Sequence, residues 1–154
     1  MNTRPSLQEF EVRDPRYAQR VRDSFARQSA MDTIGATLAE ITPGRVVIAM
    51  DSGLHLMQQN GFLHAGMLSA PMDSACGYAA LTLMAAEADV LTVEYKVNLL
   101  APAKGDRFRL IGEVIKPGRT ITVAEAQAFA WVNGREKLVA KMTATLMAIM
   151  DRSV

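Results

Sequence analysis

At 154 residues the chain has the size of one domain with a core of its own. Hydrophobic residues make up 49% and charged residues 21%, the composition of a soluble globular protein, and a net charge of +1 gives no basic field for non-specific nucleic-acid binding. The one cysteine, Cys76, cannot form an internal disulfide, which points to a reducing, cytoplasmic setting.

The opening stretch, MNTRPSLQEFEVRDPR, lacks the apolar core of a secretory signal. Arg4, Arg13, Arg16, Arg20, Arg22 and Arg27 make this region basic, but Glu9, Glu11, Asp14 and Asp23 interrupt them. The pattern predicts a solvated helix face. Asp14-Pro15 supplies an N-cap followed by proline at the first helical position, and Tyr17, Val21 and Phe25 recur every fourth residue. Residues 14–30 are therefore expected to be an amphipathic helix, part of a helical extension over 1–30 in a single domain spanning 1–154. From residue 32 the pattern changes: Ile34, Ala36 and Leu38 alternate with polar or small residues. Pro43-Gly44 marks a turn, and 45–51 reads as a returning strand. Residues 53–63, GLHLMQQNGFL, read as a loop with a short strand-like piece, and His55 in it as loop surface or core.

Residues 65–86 are too long for a strand and apolar nearly all round, the pattern of a helix wrapped by other structure. Pro71 is expected to kink it. Pro71, Asp73, two serines and two glycines argue against a membrane span. Cys76 has no charged neighbour in sequence to activate it and reads as a buried thiol. Met57, Met67, Met72 and Met84 read as core filling, with the alternative that they line an adaptable pocket.

The remainder is β. Thr92, Glu94, Lys96 and Asn98 alternate with Val93, Tyr95, Val97 and Leu99. Strands are expected over 108–115, 121–131 and 138–150, with turns at Pro117-Gly118 and at Asn133-Gly134, a strong hairpin signal. Ala124, Ala126, Ala128 and Ala130 share one face, which allows another element to approach closely; the apolar helix is the obvious candidate. The elements assemble into an α+β fold, an antiparallel sheet of five or six strands wrapped around a central helix, with an extra N-terminal helix.

Asp73 is the one formal charge between Gly66 and Ala86, and a lone carboxylate in such a run is costly to bury unless it is used or paired. It is a candidate general base or nucleophile. Ala65 stands where the helix begins, so its backbone N–H is one of the unpaired donors at a helix start and suits an oxyanion. Eight residues separate the two, a rise of about 12 Å, so within one chain they cannot serve one carbonyl. Two antiparallel copies of the helix would bring Ala65 of one beside Asp73 of the other, which predicts at least a dimer with two shared sites. Two histidines and one cysteine make no spaced metal-ligand set.

The run Gln58-Gln59-Asn60-Gly61-Phe62-Leu63-His64-Ala65-Gly66, with Asp73 nine residues after the histidine, is similar to the PaaI-like (phenylacetate-type) group of hotdog-fold acyl-CoA thioesterases. The similarity continues through Thr92–Ala103, whose strand ends in a Pro-Ala turn, through Gly118-Arg119, and into Val139-Ala140; it covers roughly residues 30–150. The resemblance implies a hotdog fold, dimers often paired into tetramers, and cofactor-free hydrolysis of an acyl-CoA. Carried over by position, Asp73 attacks the carbonyl or activates water, the Ala65 N–H holds the carbonyl oxygen, Gln58 donates a second hydrogen bond, His64 sets the loop and helix start, and Thr92 helps orient water. Asn60, Gly66 and Arg119 are expected to contact substrate, and Lys104 and Arg107 are further candidates for the CoA phosphates. The chain departs from the group's HGG motif at Ala65, which is harmless if residue 65 has φ < 0. It also departs at Gly77, where another hotdog branch carries a polar helper. Apolar Leu, Met and Phe lean towards a medium- or long-chain or aryl acyl group. A non-catalytic acyl-CoA or lipid-binding dimer is the alternative. An enoyl hydratase is disfavoured, because His64 and Asp73 lie about 13 Å apart along the helix.

Overall fold

The computed structural model describes residues 10–150. Arg4, counted above in the basic N-terminal run, lies outside them. The elements run α1 (Tyr17–Phe25), α2 (Ser29–Ile34), β1 (Ala36–Thr42), β2 (Arg45–Asp51), α3 (Ala65–Leu81), β3 (Asp89–Leu99), β4 (Arg107–Lys116), β5 (Ile121–Val132) and β6 (Arg135–Ile149). The strands form one antiparallel sheet in the order β1-β2-β4-β5-β6-β3, whose inner face wraps α3. This is the hotdog arrangement that the sequence led us to expect. Asn133 (φ 50°) and Gly134 (φ 75°) form the expected tight β5–β6 hairpin.

The N-terminal helix is two helices. The first ends at Phe25, and Ser29–Ile34 forms a second, closed by Gly35 in the left-handed conformation (φ 72°). Ile34 thus belongs to a helix, where its side chain is buried, and not to the strand that the alternation suggested. The basic face is also not wholly solvated. Arg20 donates to the carbonyls of Leu81 (2.8 Å), Met84 (3.0 Å) and Ala85 (2.5 Å) at the end of α3, and pairs with Asp14, itself 3% exposed. A cation there satisfies carbonyls left without helical partners and sits at the negative end of the helix dipole. The helix consequently stops at Leu81, five residues short of the expected end, where the Thr82 hydroxyl donates to the Ala79 carbonyl and accepts from the Gly44 N–H. Helix α3 continues unbroken through Pro71.

Helix α3 is seated by small residues. Ala124, Ala126, Ala128 and Ala130 are all fully buried, as an alanine face under a helix should be. The tightest approach, however, is at Gly112 on β4, the cross-strand partner of Ala126. A Cβ at Gly112 would lie 2.3 Å from the Ala75 carbonyl carbon and 2.7 Å from the Cys76 nitrogen. Backbone cannot move aside as a flexible side chain can, so even one methyl group must push the helix off the sheet. Gly112→Ala is expected to cost about 1–3 kcal/mol, lowering Tm by several degrees in a chain of this size, since each kcal/mol is worth about 2–4 °C. Thermal unfolding followed by circular dichroism checks this; an unchanged Tm would place the helix elsewhere.

Candidate active site

The loop before α3 is built to present the helix start. Met57 bridges to Leu63, and inside that bridge the Gln58 N–H donates to Phe62 (2.8 Å) and the Gly61 N–H to the Gln58 carbonyl (3.0 Å), with Gly61 at φ 76°. Leu56 and Leu63 anchor the loop in the core. The Asn60 N–H donates to Gln58 Oε1. This fixes the amide's orientation, and among the described residues its NH₂ group has no acceptor. His64 is the N-cap: its Nδ1 accepts the Gly66 N–H at 2.9 Å, which assigns the ring lone pair to Nδ1. Among the described residues the Ala65 N–H has no acceptor within the chain. Ala65 is helical with negative φ, so the methyl group that departs from HGG is accommodated without strain.

Gln58, His64 and Ala65 meet at one cavity of about 580 Å³, whose remaining walls are Gln59, Phe62, Leu63, Leu68 and the segment Leu99–Ala103. Asn60 and Gly66 are exposed beside it, with their N–H groups engaged by Gln58 and His64. The contribution of 99–103 was not apparent in the sequence, where it looked like a plain strand end and turn. Its place follows from pairing: the Leu63 N–H donates to the Ala103 carbonyl at 2.9 Å, which ties the two loops together.

Asp73 lies outside that cavity. It sits on α3 about 12 Å from Ala65, half-buried, with the Thr92 hydroxyl donating to its Oδ1 at 2.8 Å. Burial pushes its carboxyl above the usual carboxylate range, and the Thr92 hydrogen bond pulls it partly back. With Oδ1 held, Oδ2 carries no hydrogen bond among the described residues.

Thr92 reaches Asp73 through an irregularity that alternation cannot reveal. In the β3–β6 ladder Thr92 pairs with Leu146 and Glu94 with Thr145, leaving Val93 as the extra residue of a β-bulge. On β6 it is Ala140, Met142, Ala144 and Leu146 that are buried beneath the helix, so their partners Leu99, Val97, Tyr95 and Thr92 share the helix side. Strict alternation would have put Val93 there and turned Thr92 outward with Glu94. The bulge reverses the phase beside Asp73.

Arg119 is exposed in the β4–β5 turn. Gly105 packs on Trp131 at the far end of β5, roughly 33 Å along the strand from Ile121 at a rise of 3.3 Å per residue. Within one chain Arg119 is therefore remote from the Ala65 cavity. It lies towards the Asp73 end, where Ile121, Met147 and Leu91 form a row across the sheet next to Thr92. Lys104 is exposed beside the cavity wall, and Arg107 pairs with Asp51 at 2.9 Å. Cys76 is buried with its thiol pushed far up by burial and by nearby Asp73 and Glu125, as expected of an inert cysteine.

The family model of the thioesterase superfamily matches residues 60–133. A crystal structure of a thioesterase family protein from Silicibacter pomeroyi is 58% identical, with a TM-score of 0.87 over 88% of this chain and 99% of that one. The chain belongs to the thioesterase superfamily. That membership supports thioester hydrolysis as its activity. The PaaI protein of the E. coli phenylacetic acid degradation operon is 18% identical, with a TM-score of 0.78 over 87% of this chain and 94% of that one, a likeness of fold. A Saccharolobus solfataricus protein whose name proposes an esterase is 33% identical over 84 residues; that match takes in 54% of this thioesterase-superfamily chain and 59% of the relative's length. Among the described residues no helix is long and apolar enough to cross a membrane.

Proposed function

We propose that this protein is an acyl-CoA thioesterase that releases a medium- or long-chain or aryl acid and free CoA at sites shared between two copies of the chain. The observation that carries the reading is the half-buried Asp73 carboxylate, held at one oxygen by Thr92 in a helix with no other charge. Asp73 Oδ2 of one copy attacks the thioester carbonyl or takes a proton from the attacking water. The Ala65 N–H of the other copy, with the Gln58 NH₂, receives the oxyanion. Collapse of the tetrahedral species expels the CoA thiolate. Where Asp73 acts as base, the acid is then free and the proton that Asp73 took passes to the thiolate. Where Asp73 is the nucleophile, water hydrolyses the Asp73–acyl anhydride, which frees the acid, restores the carboxylate and supplies the thiol proton. His64 holds the helix start and takes no proton in this scheme.

A second copy is needed because about 12 Å separates the two halves of the machinery within one chain. The sheet offers it a place. Strand β3 is an edge strand with an open row of backbone groups, and Leu91, Val93, Tyr95, Leu99 and Leu100 on and beside it are 44–56% exposed. In such a dimer Arg119 of the copy supplying Asp73 and Lys104 of the copy supplying Ala65 flank the same site. Pairing of dimers into a tetramer is compatible with this arrangement.

Thiol release from a panel running from acetyl- to palmitoyl-CoA, with phenylacetyl- and benzoyl-CoA, tests the reading. Turnover is expected on the apolar acyl groups, together with a native mass at least twice the 16.8 kDa of the chain. Tight acyl-CoA binding without thiol release would favour a non-catalytic binding dimer, and a monomer with full activity would refute the shared site.

A further inference from the structure

We propose that Gly77 sets the size of acyl group the enzyme accepts, because the space a side chain would take there is reserved for the acyl chain. This rests on the reading of Asp73 as the reacting group. Gly77 lies one helical turn beyond Asp73 on the same face of α3, about 6 Å along the axis. Glycine is poorly suited to a helix interior, so its presence there calls for a reason. Backbone conformation is not one, since the positive-φ glycines are Gly35, Gly44, Gly61 and Gly134. Close packing is not one either. Among the described residues a Cβ at Gly77 would meet nothing within 4 Å, in contrast to Gly112, where it would strike the helix backbone at 2.3 Å. The fold asks nothing of this glycine, and what it leaves is open volume in line with the carboxylate.

The acyl limb is the part of the substrate that fits this volume. From Ser74 to Ala86 the chain carries no charge, so the helix beyond Asp73 offers an apolar lining. An apolar acyl chain suits that lining, and the phosphates and adenine of the CoA limb do not. An acetyl methyl ends about 1.5 Å from the carbonyl carbon, one C–C bond, and stops short of residue 77. Longer and aryl groups reach it.

The test measures kcat/KM across the acyl panel for wild type, Gly77→Ala and Gly77→Val, with Tm and native mass for each. Gly77→Ala is expected to raise Tm by about 2–4 °C. Gly77→Val is expected to lower kcat/KM about 10-fold or more on hexanoyl-CoA and larger substrates, since fit of a single methylene is worth that much, while acetyl-CoA hydrolysis changes by less than about 2-fold. Should the valine variant fold poorly, the alanine variant carries the same length-dependent comparison at smaller amplitude. An equal loss on every substrate, no loss on any, or dissociation of the dimer would overturn the inference. Failure of the underlying reading looks different: wild type would then hydrolyse nothing in the panel, or Asp73→Asn would keep full turnover.

Discussion

Asp73→Asn is expected to lower kcat by about 10²–10⁴-fold, the range for loss of a positioned acid–base group. The amide keeps an oxygen to accept the Thr92 hydroxyl, so the geometry at 2.8 Å survives while the negative charge and the proton acceptor are lost. Wild-type activity should also be pH-dependent in a defined direction. The reaction needs the carboxylate form, and burial raises the Asp73 carboxyl above its ordinary range. Activity on the acid side therefore falls away at a pH above that of a free aspartate. Stability has the opposite sign. Because the folded state favours the protonated form, the stabilisation linked to Asp73 is present below the unfolded pKa and is lost as pH rises through the folded one. At neutral pH the variant should melt at the same temperature as wild type or higher. Steady-state thiol release and calorimetry check both statements. Unimpaired turnover in Asp73→Asn would end the assignment of this residue as base or nucleophile.

Ala65→Pro is the second large effect, expected at about 10²–10³-fold in kcat, the scale for removing one oxyanion donor. The substitution suits the site in every other respect. Proline is favoured at the first position of a helix, where its missing N–H has no helical partner to lose. The residue before it must be extended, and His64 already has φ −62° and ψ 137°. The His64 cap on the Gly66 N–H is untouched. The variant deletes the hydrogen-bond donor and sets the ring Cδ in the oxyanion's place while leaving the helix start intact, and its Tm should be near that of wild type. Mixing it with Asp73→Asn subunits tests the shared site. Each mixed dimer regains one intact site, from Ala65 of one subunit and Asp73 of the other. If half the dimers are mixed, about one quarter of wild-type activity returns. No recovery in co-refolded mixtures, with both single variants inactive, would show that Ala65 and Asp73 do not meet across the dimer.

The elements that depend on composition and periodicity were legible in the sequence. An uncharged run around a lone Asp73 could only be a wrapped helix, and the alternating runs after it could only be a half-covered sheet. The Asn133-Gly134 hairpin and the Arg45–Asp51 strand follow from local chemistry that neighbours do not alter. The helix start at Ala65 follows from the loop sequence before it. The single helix expected over 14–30 breaks after Phe25, and a second helix, Ser29–Ile34, closed by Gly35 in the left-handed conformation, takes Ile34 out of the strand that alternation suggested.

Residue order alone supplied the cast: a helix bearing one acid, a helix start with a free N–H, and a sheet to hold them. These are consequences of residue type and short-range spacing. The tertiary structure decided which groups meet. Arg20 caps the end of α3 across 61–65 residues of chain, Gly112 rather than the alanine row sets the closest approach of helix to sheet, and Leu99–Ala103 close the cavity at Ala65. Above all, the extra residue Val93 turns Thr92 inward to Asp73. A strand's period of two assigns faces only while its pairing is regular, and whether a bulge interrupts it depends on the register with β6, some fifty residues away in the chain.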